Sequence, residues 1–215
     1  MNLRAWCVIA GIAIALSWWY SDLSPRVPGA PQLQGGREAA GCISPPSVEP
    51  GREPLQTPLP AGLGPFLLED ATLQPLAGIS VDARVLSRQN YTVGRTARLA
   101  PTDLALGWQD MARDAVLDQL SISQSGRWYQ YRWRNAPPLE PALITRQSAN
   151  MHLIPSNAAV AEALARVRKD QRVRIDGWLV QAKMPGANWR SSTSRDDTGE
   201  GACELIYVCA LTVAP

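Results

Sequence analysis

The chain has 215 residues, a formal net charge of +2, 19% charged residues and 46% hydrophobic residues. Such a balance offers no general drive toward nucleic acid or anionic lipid, and the apolar content suits a folding chain rather than a disordered one. With one histidine, and four cysteines that show no C-x-x-C spacing, the composition argues against a histidine- or thiolate-built metal centre, and no cofactor is implied.

Residues 5–21 carry no charge between Arg4 and Asp22. A helix over this run is about 25 Å long, at the short end of what spans a bilayer core. Trp18, Trp19 and Tyr20 are of the kind that favours the membrane–water boundary. Residues 1–21 are therefore expected to be a transmembrane helix, the chain's contact with the membrane, with the N-terminus inside and the rest exported. A cleaved signal is the alternative, because the apolar core 5–16 has the length of a signal-peptide h-region.

Residues 22–65 read as a linker, since ten of the eighteen prolines lie there. Such a stretch has too little apolar surface to offset its ordering entropy and serves to hold a domain at a distance. The exported domain is expected over 66–215, where 17 Lys and Arg face 15 Asp and Glu. Val81, Ala83 and Val85 alternate, predicting a strand over 79–87, with 89–99 pairing back on it. Pro101, Thr102 and Asp103 read as a helix start, and a helix over 103–120 places Asp110, Asp114 and Asp118 on one face. RWYQYRWR (127–134) reads as a strand with Tyr129, Tyr131 and Trp133 on one side and Trp128, Arg132 and Arg134 on the other. ALITRQ (142–147) reads as a short strand. A second helix begins at Ser156 or Asn157, with Val160, Leu164 and Val167 on its apolar face.

Three strands close the domain. In the first, 172–183, Gly177 interrupts the alternation of Val173, Ile175 and Leu179, as at a bulge or sharp bend. The fold class expected is α+β: an N-terminal transmembrane helix, a Pro-rich linker, then a bent antiparallel sheet or small β-barrel with two helices. Cys203 and Cys209, six strand residues apart, are separated by about 20 Å and cannot bond to each other. At most one of them bonds to Cys42, as an exported location allows.

The run V-x-I-x-G-x-L-V with a DDTG turn is similar to oligonucleotide/oligosaccharide-binding barrels over about forty residues. SANMHLIPS (148–156) and DDTGEGACEL (196–205) resemble segments of uncharacterised exported bacterial proteins, for which no function is known. That resemblance implies a bacterial setting; together with the N-terminal apolar segment, the expectation is a single-pass inner-membrane protein with its C-terminal domain in the periplasm or outside the cell.

Candidate chemistry is sparse. Asp197-Thr198-Gly199 spells the aspartic-protease triplet, but it follows SSTSRD rather than an apolar strand and reads as a turn. His152 could act as base for Cys203 or Ser148, giving a Cys/His or Ser/His envelope hydrolase or transpeptidase. The binding candidates are Trp128, Arg132 and Arg134, joined by Trp178 and Trp189 if all share a side, since aromatics stack on sugars or bases while arginines pair with anions. The cluster Arg166, Arg168, Lys169, Arg172 and Arg174 complements the end of the second helix. The function expected is a non-catalytic envelope module that binds a protein or polysaccharide partner. A single-stranded nucleic-acid-binding barrel is a further alternative, disfavoured by the exported location.

Overall fold

The computed structural model describes residues 3–19, 42–194, 197, 199 and 201–214. In chain order the elements are α1 (Leu3–Trp19), β1 (Leu55–Thr57), β2 (Phe66–Leu68), β3 (Ala71–Asn90), α2 (Arg95–Leu99) and β4 (Thr102–Gly107). A 3-10 turn (Gln109–Ala112) and α3 (Asp114–Leu117) lead to β5 (Leu120–Ser125) and β6 (Trp128–Trp133). Then follow α4 (Pro141–Arg146), β7 (Ser148–Pro155), α5 (Ala158–Arg166), β8 (Arg172–Met184), β9 (Ala187–Arg190) and β10 (Glu204–Val213).

Eight strands form one sheet, and β5 and β6 form a separate two-stranded hairpin. Pairings run β3–β4–β7–β10–β8 and return to β3, so five strands make a closed circuit. The sheet is mixed, not antiparallel as expected, because β7 and β10 run parallel. Inside the circuit Ile79, Val81, Leu104, Leu106, Met151, Leu153, Ile175, Leu179 and Ile206 form the main core, joined by Val160, Leu164 and Val167 from α5 and the residue after it. Each such large aliphatic contributes about 1.5–3 kcal/mol relative to exposure.

The twenty-residue β3 bends to serve two neighbours. Its register on β8 shifts between Pro75 and Ala77, where the proline has no amide to donate, and its register on β4 shifts between Val85 and Ser87. Gly177 on β8 faces the irregularity in β10 between Val208 and Ala210. A Cβ at Gly177 would collide with the Tyr207 carbonyl oxygen, so the close approach requires glycine there.

The transmembrane expectation is corrected. The N-terminal helix α1 has 17 residues, and among the described residues no helix is long and apolar enough to cross a membrane. Its length of about 25 Å falls short of a hydrocarbon core of about 30 Å. Tyr20 and residues 21–41 lie outside the described residues. From Cys42 onward the end of the expected linker lies on the sheet: Val48 is buried, β1 pairs with β3, and Cys42 bonds to Cys209.

The helix over 103–120 is also corrected. Residues 102–107 form strand β4, with Leu104 and Leu106 pointing into the core and Asp103 and Ala105 outward. Burial on both faces hides the period-2 pattern that would have marked a strand. Asp110, Asp114 and Asp118 therefore share no helix face: Asp110 meets Arg113 at 3.1 Å, and Asp114 meets Arg84 at 2.5 Å. Gln89 and Asn90 end β3, and no hairpin forms over 89–99. Residues 141–146 are helix α4, with Pro141 in its first turn, where the missing amide costs nothing. The helix expected from Asn157 is α5, and the Asn157 side chain accepts from the Val160 amide at 3.0 Å.

Candidate functional site

The alternation of β6 places Tyr129 and Tyr131 toward the sheet and leaves Trp128, Gln130 and Arg132 exposed. Tyr129, Tyr131 and the exposed Trp133 form a ladder, with ring centroids 5.6 Å apart between Tyr129 and Tyr131 and 6.3 Å between Tyr131 and Trp133. The Tyr129 hydroxyl donates to Ser148 Oγ at 3.4 Å, which in turn donates to the Ile144 carbonyl at 2.6 Å. Burial pushes the Tyr129 hydroxyl above the ordinary phenol range, so it stays a neutral donor.

The hairpin is fastened at its tip. Arg127 has a positive φ of 73° and follows Gly126 at 57°, a turn geometry that swings the arginine back over the sheet. Its Nη1 donates to Asp103 Oδ1 at 2.6 Å, and its guanidinium sits 3.7 Å over the Tyr91 ring and 5.3 Å from the Trp189 ring. Its carbonyl accepts from Asn150 Nδ2 at 3.0 Å, and Gln124 Nε2 donates to Asn150 Oδ1 at 2.6 Å. Asp103 is fully buried and directly opposite His152 in the β4–β7 register. His152 Nδ1 lies 2.9 Å from Asp103 Oδ2, off the line of a hydrogen bond. The His152 ring meets the Trp189 ring at 4.7 Å. A buried carboxylate flanked by an arginine and a histidine is the electrostatic centre of this face.

Beside the latch a cleft of about 190 Å³ opens between β6, the start of β7 and the segment before β10. Trp108, Trp128, Tyr129 and Tyr131 supply aromatic surface. Ser148, Asn150, Asp197, Cys203 and Glu204 supply polar groups. The parallel pairing of β7 with β10 sets Glu204 beside Met151, which brings SANMHLIPS and GACEL together along one wall.

Of the catalytic candidates, Ser148 and Cys203 line this cleft, whereas His152 is 3% exposed and turns to Asp103 and Trp189. Cys203 Sγ is 4.0 Å from the Arg127 carbonyl. Its thiol is pushed up chiefly by burial, opposed in part by a hydrogen bond with Asn150, with smaller upward contributions from the carboxylates of Asp103 and Asp197. A nucleophilic cysteine needs the opposite shift.

Among the binding candidates, Trp128 lines the cleft at 44% exposure. Arg132 and Arg134 are exposed and do not line it. Trp189 belongs to the latch. Trp178 is remote from it: 5% exposed, it donates from Nε1 to the Ile43 carbonyl at 3.0 Å under residues 42–48. The five residues thus do not form one platform. Of the basic cluster, Arg172 is bound to Asp82 at 2.6 and 3.1 Å, and Arg168 donates to the Ala165 and Val167 carbonyls. Asp196 and Thr198 lie outside the described residues, while Asp197 Oδ2 accepts from Ser192 Oγ at 2.5 Å.

Arg127, Asp103, Tyr91 and Asn150 belong to the site without being marked as site residues by any motif in the sequence. Of these, Asn150 alone carries a local signal, the period-2 spacing that puts Ser148, Asn150 and His152 on one side of a strand. Among the described residues no group of three or more His, Cys, Asp or Glu could hold a metal ion. No family model, curated protein or solved structure matches the chain.

Proposed function

We propose that this chain is an exported, non-catalytic module that binds a polysaccharide partner in the cleft between the β5–β6 hairpin and β7. The observation that carries the reading is the composition of the cleft: four aromatic side chains beside the Asn150 amide, the hydroxyls of Thr145, Ser148 and Ser194, and two carboxylates. Aromatic planes take the C–H faces of sugars and polar groups take their hydroxyls, a combination typical of small concave sites. The closed strand circuit is similar to oligonucleotide/oligosaccharide-binding barrels, in which the second and third strands and two loops hold the ligand. In this circuit the second and third strands are β4 and β7, and the loop joining the fourth and fifth strands carries Asp197 and Cys203. Export is supported by the Cys42–Cys209 disulfide, which belongs to an oxidising compartment, and by the apolar run over residues 5–16.

A single-stranded nucleic-acid ligand is disfavoured here, because the cleft presents carboxylates where phosphates would need cations. The hydrolase reading is disfavoured by the raised Cys203 thiol and by the direction in which His152 faces. The test is a carbohydrate array that carries neutral, amino and acidic oligosaccharides together with single-stranded DNA. The reading expects binding to at least one glycan class, reduced tenfold or more by Trp128→Ala with the fold intact. Salt-sensitive binding to DNA alone, or glycan binding indifferent to Trp128, would overturn it.

A further inference from the structure

We infer that the β5–β6 hairpin is a flap that lifts at its tip and closes over the cleft, so that it controls entry to the ligand site. The inference rests on the polysaccharide reading and names the regulation of that same site. Among the described residues β5 and β6 pair with each other and with no strand of the eight-stranded sheet. Lifting the hairpin therefore breaks no ladder of the large sheet. The cleft has a wall on each side of this boundary: Trp128, Tyr129 and Tyr131 stand on the hairpin, and Ser148 and Asn150 stand on β7.

The two ends of the hairpin are held by different chemistry. Near its base, Leu120, Ile122 and Tyr131 pack on the small core that holds Leu86, Met111 and Ile144. Exposing that apolar surface costs free energy that water does not return. Towards the tip the inward row turns polar, with Gln124 bonded to Asn150 and Arg127 bonded to Asp103. Bonds of this kind can be exchanged for bonds to water at small net cost. The Arg127–Asp103 pair parts into water when the tip lifts, so neither charge is left buried alone. The closed tip also satisfies its own groups incompletely. Arg127 Nη2, Gln124 Oε1, Asp103 Oδ2 and His152 Nδ1 are buried and make no hydrogen bond among the described residues. The tip is thus the weak end and the base is the hinge. Asp118 and Gln119 form a turn before β5, and residues 134–137 after β6 are exposed and lie outside helix and strand, the kind of segment that absorbs a hinge motion. Asn150 and Cys203 both line the cleft and both touch the Arg127 carbonyl. The tip therefore stands at one end of the cleft and bars it to a longer chain until it lifts.

One amide reads the latch by itself. The Arg127 backbone N–H donates to the Tyr91 hydroxyl at 3.0 Å, a bond that breaks when the tip lifts while the β5–β6 ladder stays paired. The experiment is NMR-detected hydrogen exchange on the full chain in a series of urea concentrations below the unfolding transition. The Arg127 amide is expected to be protected at least tenfold relative to an unstructured peptide and to exchange at least a hundredfold faster than the amides of β4 and β7. Its exchange should be indifferent to urea, the mark of a local opening. Arg127→Lys keeps the amide and the positive charge but loses the planar fork. It should speed exchange at residue 127 about tenfold and leave the amides of β3 and β8 unchanged. The urea series on the unmodified chain tests the same opening if that variant is unstable. Saturation with the oligosaccharide that gives the strongest array signal should slow exchange at Arg127 tenfold or more. Exchange at Arg127 as slow and as urea-dependent as in β4 and β7, exchange as fast as in a peptide, or exchange indifferent to that oligosaccharide overturns the flap and leaves the polysaccharide reading standing. A blank array overturns the polysaccharide reading and leaves the opening to be measured in the free chain.

Discussion

The outer face of β3 and β8 lies under residues 42–57, and the outer face of β4 and β7 lies under the β5–β6 hairpin. Both faces carry buried polar side chains, Ser80, Asp82 and Asp176 on the first and Asp103, Asn150 and His152 on the second. The first cover is fastened along its length. Cys42 is bonded to Cys209, the Val48 amide donates to Ser80 Oγ at 2.7 Å, the Gly51 amide donates to Asp82 at 3.2 Å, and β1 joins the sheet. It fits so closely that a Cβ on Gly78 would collide with Thr57 and Pro45. The second cover is held at its tip by Arg127 and along its ladder by tyrosine hydroxyls, and it leaves a cleft beside them. A cover sealed by backbone pairing and a covalent bond stabilises. A cover pinned at a few polar points leaves room for a ligand.

The comparison can be broken at either cover, and the largest effect on stability is expected at the first. The disulfide joins residues 167 apart in sequence, so the Cys42→Ser/Cys209→Ser double variant should lose about 4 kcal/mol in urea unfolding, with glycan affinity unchanged under native conditions. A variant that unfolds at the wild-type midpoint would remove the disulfide from the account. Arg127→Ala should cost about 3 kcal/mol, because it leaves the Asp103 carboxylate buried without its arginine. Unlike the disulfide variant, it should also weaken ligand binding by loosening the hairpin. Retained affinity would mean that the tip does not shape the cleft.

The smallest effect is a pH dependence. Burial, and then the Asp103 carboxylate, push the Tyr91 hydroxyl up to about 12 from 10.0. The unfolded chain then loses this proton first, so the contribution to stability is complete below pH 10 and is lost as pH rises from 10 to 12. Tyr129 and Tyr207 are shifted the same way, so Tyr91→Phe should remove part of the alkaline slope in thermal unfolding, not all of it. An unchanged slope would place Tyr91 outside the latch.

These two covers were unequally legible in the sequence. The β6 alternation, the Asn157 cap and the glycine opposite a bulge follow from local chemistry, and each could be read from a few residues. Leu104 and Leu106 did not announce a strand, because β4 is buried on both faces and a capping signal at Thr102–Asp103 competed with it. Pro141 opened a helix where the apolar run ALITRQ looked like a strand. The proline-rich composition of residues 42–65 suggested a free tether, yet prolines that donate no amide can still lie on a sheet whose partners come from residues more than a hundred positions away, as Ser47 does with Asp176. The site was less visible still. Arg127, Asp103, Tyr91 and Trp189 come from four separated segments, and only the closed circuit brings them together. Trp178 and Trp128 look equivalent as sequence and end under different covers.

That last pair supplies the most direct test. The indole N–H resonances of ¹⁵N-labelled protein can be followed during titration with an oligosaccharide that binds on the carbohydrate array. The account predicts that the Trp128 signal shifts progressively with ligand while the Trp178 signal, held on the Ile43 carbonyl, stays in place. A shift at Trp178 without one at Trp128 would contradict the assignment of the cleft as the ligand site.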